Sequence, residues 1–382
     1  MIKLNKAYKF RLYPCKEQGV LINKTIGSAR FMFNQLLAER IGNYDSCKHI
    51  EDKKEMRVAL KLLKQSTPAN IKKEYEWLKE VDSLALATAW TNVNTAYKNF
   101  FNGSRFPKFK SKHKSKLTYT TFNQGGNIRI SEDNKYIKLP KLNFVRVKAH
   151  RRIKDDELIK SCTVSKTASG KYYVSILVEY EKKIINQEVK SEEQVLGLDF
   201  SMKDLYYSSE GKIANYPRYY RSSLEKLAKA QRKLSRKKKG SNNRNKERIK
   251  VAKLHEHIAN QRKDFLHKES RKLVDNFDAI ILENLNMKSM SQCLNFGKSV
   301  SDNGWGMFTV FLGYKAMLKG KQVIKIDKWF PSSKMCSECG CIKEKLLLSD
   351  RIYNCEHCGV SLDRDYNASL NIKRVGMTQL AW

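Results

Sequence analysis

With 382 residues and 41% hydrophobic content, the chain can build two to four packed domains, which excludes a disordered tail protein. Lysine and arginine (75) exceed aspartate and glutamate (39), leaving a net charge of +36 that points to a polyanionic partner, nucleic acid ahead of an acidic membrane surface. No apolar run approaches the ~20 residues that span a bilayer, no lipid-anchor motif is evident, and Met1–Lys6 lacks the apolar stretch of a secretory signal, so a cytoplasmic protein without a membrane partner is expected.

Ile2–Leu12 alternates and ends at Pro14, the pattern of a strand with its stop. From Glu17 to Ile41, Leu21, Ile22, Ile26, Ala29, Phe33, Leu36 and Leu37 recur at helical spacing, with Asn43 as a stop. Further helices are expected over Glu55–Leu63, Asn70–Val81 and Ser83–Phe101, so residues 15–102 read as a helical insertion after one lone strand. Asn102–Leu117 then interleaves Arg105, Lys108, Lys110 and Lys112 with Phe106, Pro107 and Phe109. Such a loop can pair with phosphates and stack on bases. The plainer alternative is a solvated loop with both phenylalanines in the core.

Strands are expected at Thr118–Phe122, Asn127–Ile130, Tyr136–Leu139, Phe144–Val147 and Tyr172–Val178, separated by Gly125-Gly126, Asp133-Asn134 and Ser169-Gly170. The first strand would complete this sheet as a small barrel. Lys182–Gln194 is a polar junction. Val195–Phe200 is an apolar run that ends on Asp199, and Leu205–Ala214 alternates like a hairpin. Two long helical patterns follow, Arg218–Arg236 and Asn243–Asn276, with 13 Lys or Arg between Lys226 and Lys253 against one acid, Glu247. Like charges three or four apart destabilise a helix unless neutralised. Arg232, Lys233, Arg236, Lys237, Lys238, Lys239 and Arg244 are therefore candidates to face phosphates, the alternative being a solvated hairpin. Asp278–Leu285 is a second strand bearing an acid, Glu283; a helix over Ser299–Leu318 and a strand over Gln322–Asp327 complete this region.

Nine cysteines include two late pairs, Cys336/Cys339 and Cys355/Cys358, with Cys15, Cys47, Cys162, Cys293 and Cys341 scattered. The C-x2-C…C-x2-C array fits four thiolates around one tetrahedral Zn2+, each knuckle followed by a turn glycine, Gly340 or Gly359. Four protein ligands leave no open position, so the zinc is structural. Cys341 is an extra thiol nearby and His357 a stand-in ligand. Leu362–Ile372 follows, with Asp363 suited to an N-cap and Asp365, Ala368, Ser369 and Ile372 on one helix face. Taken singly, Asp365 is a first-turn acid facing the helix dipole, Asp199 a turn acid and Glu283 a surface acid. Taken together, three carboxylates at two strand ends and one helix start can hold two Mg2+ or Mn2+ ions about 4 Å apart for phosphodiester cleavage.

Gly-Leu-Asp, a basic helical pair, Leu-Glu-Asn-Leu, the paired knuckles and Asp-Arg-Asp-Tyr-Asn-Ala-Ser-Leu-Asn-Ile occur in an order that resembles TnpB, the RNA-guided nucleases of insertion sequences related to type V CRISPR effectors. Tyr8–Pro14 and Arg105–Phe109 resemble it too, so the similarity covers nearly the whole chain. The resemblance implies a multidomain α+β chain: a wedge-like β-barrel (1–14 and 103–190), a helical recognition domain (15–102), an RNase H-like (RuvC) α/β nuclease domain (191–335 and 359–382) and a zinc element (336–358). It places the catalytic metal ligands at Asp199, Glu283 and Asp365, with Asp363 a less suitable third. It implies a noncoding guide RNA from the transposon end, a double-stranded DNA target beside a short adjacent motif, and one site cutting both strands in turn, with base pairing reading sequence and a basic channel holding the backbone. A monomer in the ribonucleoprotein, in the cytoplasm and on the nucleoid through DNA, is expected. The chain departs from the commoner pattern at Phe200-Ser201 and at Ser369, where alanine is more typical. Some relatives without these acids are nuclease-silent, RNA-guided repressors, the alternative function; a zinc-bearing nucleic-acid protein without a guide is a third.

Overall fold

β1 (Ile2–Tyr13) buries Tyr8, Phe10 and Leu12 on one face and exposes Lys9 and Tyr13, as its alternation requires. The computed structural model describes residues 1–63, 65–293, 297–347 and 349–380; Ala381 and Trp382, the end of the expected nuclease stretch, lie outside them. Two units are distinguished, Met1–Lys182 and Lys183–Trp382, and the division falls at the head of the polar junction.

In the first unit, α1 (Lys16–Cys47) starts in a capping box between Cys15 and Gln18. It runs through the expected stop at Asn43, where neither glycine nor proline follows to end it. α2 (Lys53–Leu62) and α3 (Pro68–Glu74) follow, the latter capped by Thr67 with proline at its start. The helix expected over Asn70–Val81 is instead α3 and a separate 3-10 turn at Glu76–Glu80, broken at Tyr75 (φ −115°, ψ 84°). Asp82 caps α4 (Ser83–Phe101), and α1 and α4 share a core that includes Met32, Phe33, Leu36, Leu86 and Val93.

β2 (Thr118–Phe122), β3 (Arg129–Ile130), β4 (Tyr136–Leu139), β5 (Asn143–Lys148), β6 (Leu158–Lys166) and β7 (Tyr172–Lys182) join β1 in a seven-stranded antiparallel sheet ordered β2-β6-β7-β1-β5-β4-β3. The lone first strand is therefore central. β6 does not show in the residue pattern: a bulge between Ile159 and Ser161 shifts its alternation. One core gathers residues from β1, β2 and β4 to β7 with Ile22, Ile26 and Ala85 of the helices. β2 and β3 end the strand order, and no ladder joins them among the described residues, so the expected barrel is here one open ladder around a shared core.

The second unit centres on β8 (Val195–Ser201), followed by β9 (Leu205–Ser208). Gly211–Ala214 adds only an isolated bridge, Tyr207 to Ile213. α5 (Tyr219–Ser222), α6 (Leu224–Ser235) and α7 (Asn242–Asn276) lead to β10 (Ala279–Glu283). α8 (Met287–Cys293), α9 (Gly297–Asn303) and α10 (Trp305–Lys319) lead to β11 (Gln322–Ile326). The single helix expected over Ser299–Leu318 breaks at Gly304, whose φ of +75° is left-handed. A two-stranded ribbon, β12 (Ile352–Asn354) and β13 (Ser361–Asp363), precedes α11 (Arg364–Met377).

The sheet runs β11-β10-β8-β9, with β11, β10 and β8 parallel and β9 antiparallel. Leu196, Leu198, Ile280 and Leu282 face a core shared with α7 and α10, while Val195, Ala279 and Ile281 face one shared with α11. Both faces are covered, which is why these strands are unbroken apolar runs. No helix among the described residues is long and apolar enough to cross a membrane.

Candidate active site and metal centre

Leu198 pairs with Leu282 on the parallel strands β8 and β10, so the next residues, Asp199 and Glu283, sit at the same end of the sheet. Such carboxyl ends of parallel strands are where α/β sheets place their sites. The third acid depends on how closely α11 lies over β8. A Cβ at Gly197 would collide with the Ser369 carbonyl oxygen and come within 2.8 Å of Lys373. Likewise a Cβ at Gly376 would strike the Ile281 side chain. These two glycines let the helix descend onto the sheet. Asp363 caps α11, accepting from the backbone N–H groups of Asp365 at 2.9 Å and Tyr366 at 3.0 Å. Asp365 is then the acid of the first turn, and Arg364 donates to its Oδ1 from Nε at 3.0 Å and from a terminal nitrogen at 2.8 Å.

Asp199 lies within electrostatic reach of both other acids. Burial, then Glu283 and Asp365, push the Asp199 carboxyl well above the usual carboxylate range, with Arg364 opposing. Burial raises Glu283 too, against a hydrogen bond in which the Ser332 hydroxyl donates to Glu283 Oε1. One buried carboxylate repelled by two half-buried ones, with one neighbouring guanidinium, makes a site short of positive charge. Their hard oxygen donors fit Mg2+ or Mn2+. The trio is more open than a single-ion cage: the tight ligand clusters among the described residues, with atoms within 4.8 Å of one another, are in the cysteine knuckles.

Two residues that anchor the acid-bearing helix escape the sequence pattern. Asn367 and Asn371 of α11 are fully buried. Asn367 Nδ2 donates to the Met335 carbonyl at 2.7 Å and its Oδ1 accepts from the Ser337 N–H at 2.9 Å. Asn371 Nδ2 donates to the Ser332 carbonyl at 2.9 Å and to that of Met335 at 2.6 Å. The acid-bearing helix is thereby tied to the segment that holds Glu283 through Ser332 and opens the first knuckle at Cys336. Two asparagines four apart on a helix face of small residues are the available signal.

The four expected thiols do converge. Sγ of Cys336 lies 3.6 Å from that of Cys358, and Sγ of Cys339 lies 3.5 Å from that of Cys355. A tetrahedron with Zn–S of ~2.3 Å has edges of about 3.8 Å, so the donor set fits zinc. Gly340 (φ +77°) and Gly359 (φ +74°) make the turns. The backbone N–H groups of Cys358 and His357 pull the Cys355 thiol down, while Cys339 and Cys358 are pushed up beside it.

The expected nucleic-acid residues divide. Arg105, Lys108 and Lys112 are exposed, but Lys110 turns inward, its Nζ 3.7 Å from the centre of the Phe33 ring and its ammonium pushed down by burial. Asn34 fixes its backbone in both directions, at 2.8 and 3.0 Å. Neither phenylalanine of the loop is in the core: Phe106 is 46% and Phe109 56% exposed. On the second unit, Arg232, Lys233, Arg236, Lys237, Lys238 and Lys239 are exposed. Arg244 donates at 3.0 Å to the carbonyls of both Leu234 and Lys237, which closes the end of α6.

Comparison with known proteins adds the following. Residues 175–294 match the family described as "Probable transposase", residues 305–372 that described as "Cas12f1-like, TNB domain", and residues 1–49 a "Helix-turn-helix domain", a stretch that is here β1 and α1. A Streptomyces pristinaespiralis protein named "Putative RNA-guided DNA endonuclease" is 31% identical over 387 residues, spanning 100% of this chain and 92% of its own. The InsQ protein of Escherichia coli K12, of the same name, is 30% identical over 396 residues, spanning 100% and 94%. In fold the chain is similar to the protein in a Cas12f1–guide RNA–target DNA complex, with a TM-score of 0.57 at 14% identity, over 97% of this chain and 99% of that one.

Proposed function

Because the chain belongs to the TnpB family, we propose that it is an RNA-guided DNA endonuclease, hydrolysing phosphodiester bonds of both target strands at one divalent-metal site made by Asp199, Glu283 and Asp365. What supports this reading is the position of two acids at neighbouring parallel strand ends and of a third on a helix that lies close over Gly197, both near enough to raise the Asp199 carboxyl. Bound divalent cations supply the positive charge that activates water and stabilises the leaving oxygen. The protein's own part is orientation. β8 and β10 fix two carboxylates, Ser332 holds Glu283, and the Asp363 cap with Arg364 holds Asp365. Burial of Asp199 lets charge at that carboxyl act over a lower effective dielectric than in water.

Cys336, Cys339, Cys355 and Cys358 hold one structural zinc. The partners are a noncoding guide RNA from the transposon end and double-stranded DNA beside a short adjacent motif. The wedge-like region takes residues 1–14 and 103–190, the helical region 15–102, the RuvC-like region 191–335 and 359–382, and the zinc element 336–358; the protein acts as a monomer. The exposed cations at Arg105, Lys108 and Lys112, and at Arg232, Lys233 and Arg236–Lys239, contact phosphate.

The test is cleavage of a target plasmid by the chain purified with its guide RNA, with Mg2+ present. The unaltered protein cuts, and Asp199→Ala loses cutting by at least about 1,000-fold while retaining guide-directed DNA binding. Binding without cutting by the unaltered protein would instead identify a nuclease-silent repressor. Undiminished cutting by Asp199→Ala would remove the site assignment.

A further inference from the structure

The two cysteine knuckles are built alike. In the first, the Cys336 N–H donates to the Cys341 carbonyl at 2.9 Å and the Gly340 N–H to the Cys336 carbonyl at 3.0 Å. In the second, the Cys355 N–H donates to the Val360 carbonyl at 2.8 Å and the Gly359 N–H to the Cys355 carbonyl at 3.0 Å. Superposing the pattern matches Cys336 with Cys355, Cys339 with Cys358, and Cys341 with Val360. Position 341 therefore asks for a backbone, not a thiol, and its twin does the same structural work with an aliphatic side chain. His357 corresponds in the same way to Glu338. Each knuckle thus carries one soft metal donor beyond what its fold or its share of a four-cysteine site requires.

Those two surplus donors meet. Ligand atoms of Cys339, Cys341 and His357 all lie within 4.8 Å of one another. We propose that these three residues form a second metal position for a zinc-class ion, sharing the Cys339 thiolate with the four-cysteine site. Two sulfurs and an imidazole nitrogen supply three donors, and water completes the fourth. A thiolate has lone pairs enough to bridge two soft ions. With one sulfur shared and His357 exposed, this position is the weaker of the two and fills only when metal is in excess. Loading it displaces the Cys341 thiol proton to solvent.

The test uses the full-length chain at dialysis equilibrium with a fixed excess of 113Cd2+, the bound ions counted as the difference in metal across the membrane and followed by 113Cd NMR at the same free metal. Two ions per chain are expected, with two resonances split by coupling through the shared sulfur. Cys341→Val, which copies the twin knuckle, and His357→Ala each leave one ion and one uncoupled resonance, and that retained ion reports an intact first site. A single ion in the unaltered chain overturns the proposal. So does a second resonance without coupling, or one that survives either substitution.

Discussion

At Asp199 the protein holds a carboxyl where water would ordinarily stabilise its charge and the fold has removed that water. Burial and two neighbouring acids raise its folded-state pKa above that of an unfolded chain. The folded metal-free protein then binds more protons than the unfolded one. Its stability falls as pH rises from the ordinary carboxylate range through the raised value. Mg2+ should offset this, raising the melting temperature more at about pH 8 than at about pH 5. Asp199→Asn should increase folding stability at the higher pH without Mg2+, by on the order of 1 kcal/mol for each pKa unit relieved. An equal Mg2+ response at both pH values in a thermal melt would count against the electrostatic account. Gly197 makes a second residue-scale case. Gly197→Ala should destabilise the second unit by about 1–3 kcal/mol or more and abolish cleavage, because the methyl meets backbone rather than a mobile side-chain end. Gly27→Ala, where a Cβ meets nothing within 4 Å in mid-helix, should instead gain ~0.5–1 kcal/mol. Urea unfolding of both variants decides the comparison.

Among elements, α11 bears the acid, lies on β8 and is tied at Asn367 and Asn371 to the chain entering the first knuckle. Asn371→Ala should leave the four-cysteine zinc in place yet lower cleavage about tenfold or more, since losing buried hydrogen bonds costs about 1–3 kcal/mol where positioning matters. Zinc content and single-turnover cleavage, measured on one preparation, separate this from general unfolding. The same elements show what a sequence reveals. β8 and β10 are legible with their acids because fully buried parallel strands advertise themselves as apolar runs, and the Asp363 cap because capping is local. β6 is hidden because its bulge breaks the alternation that a pattern search depends on. Gly197 and Asn371 are hidden because their reasons lie across space: a helix backbone pressed against one, carbonyls of a distant segment before the other. The inward turn of Lys110 and the capping by Arg244 are equally invisible, since a run of cations does not say which members fold back on their own chain.

For the whole molecule the governing quantity is the net charge of +36, too large to be matched by internal pairs when only 39 acids face 75 bases. Ion pairs such as Lys24–Glu80, Lys79–Glu76 and Lys268–Asp264 join exposed partners that water and salt screen, and leave the excess to an external polyanion. Replacing Lys237, Lys238 and Lys239 with glutamine should weaken RNA binding and flatten the plot of log affinity against log salt by up to about 0.7–0.9 for each phosphate no longer neutralised. Lys110→Gln should change that slope little, because its ammonium is withdrawn from solvent. Filter binding across a salt series checks both, and equal slopes for all proteins would mean the exposed cluster is merely solvated.

The close approach at Gly197 bears on how decay of such genes is recognised. A lineage can preserve every acid by name and still be without its scissors, if a side chain has grown where only hydrogen fits and has levered the last helix off its sheet. Position 197 therefore serves as a silent witness: when related chains are sorted into cutters and non-cutters, the residue there carries weight beside the three carboxylates themselves.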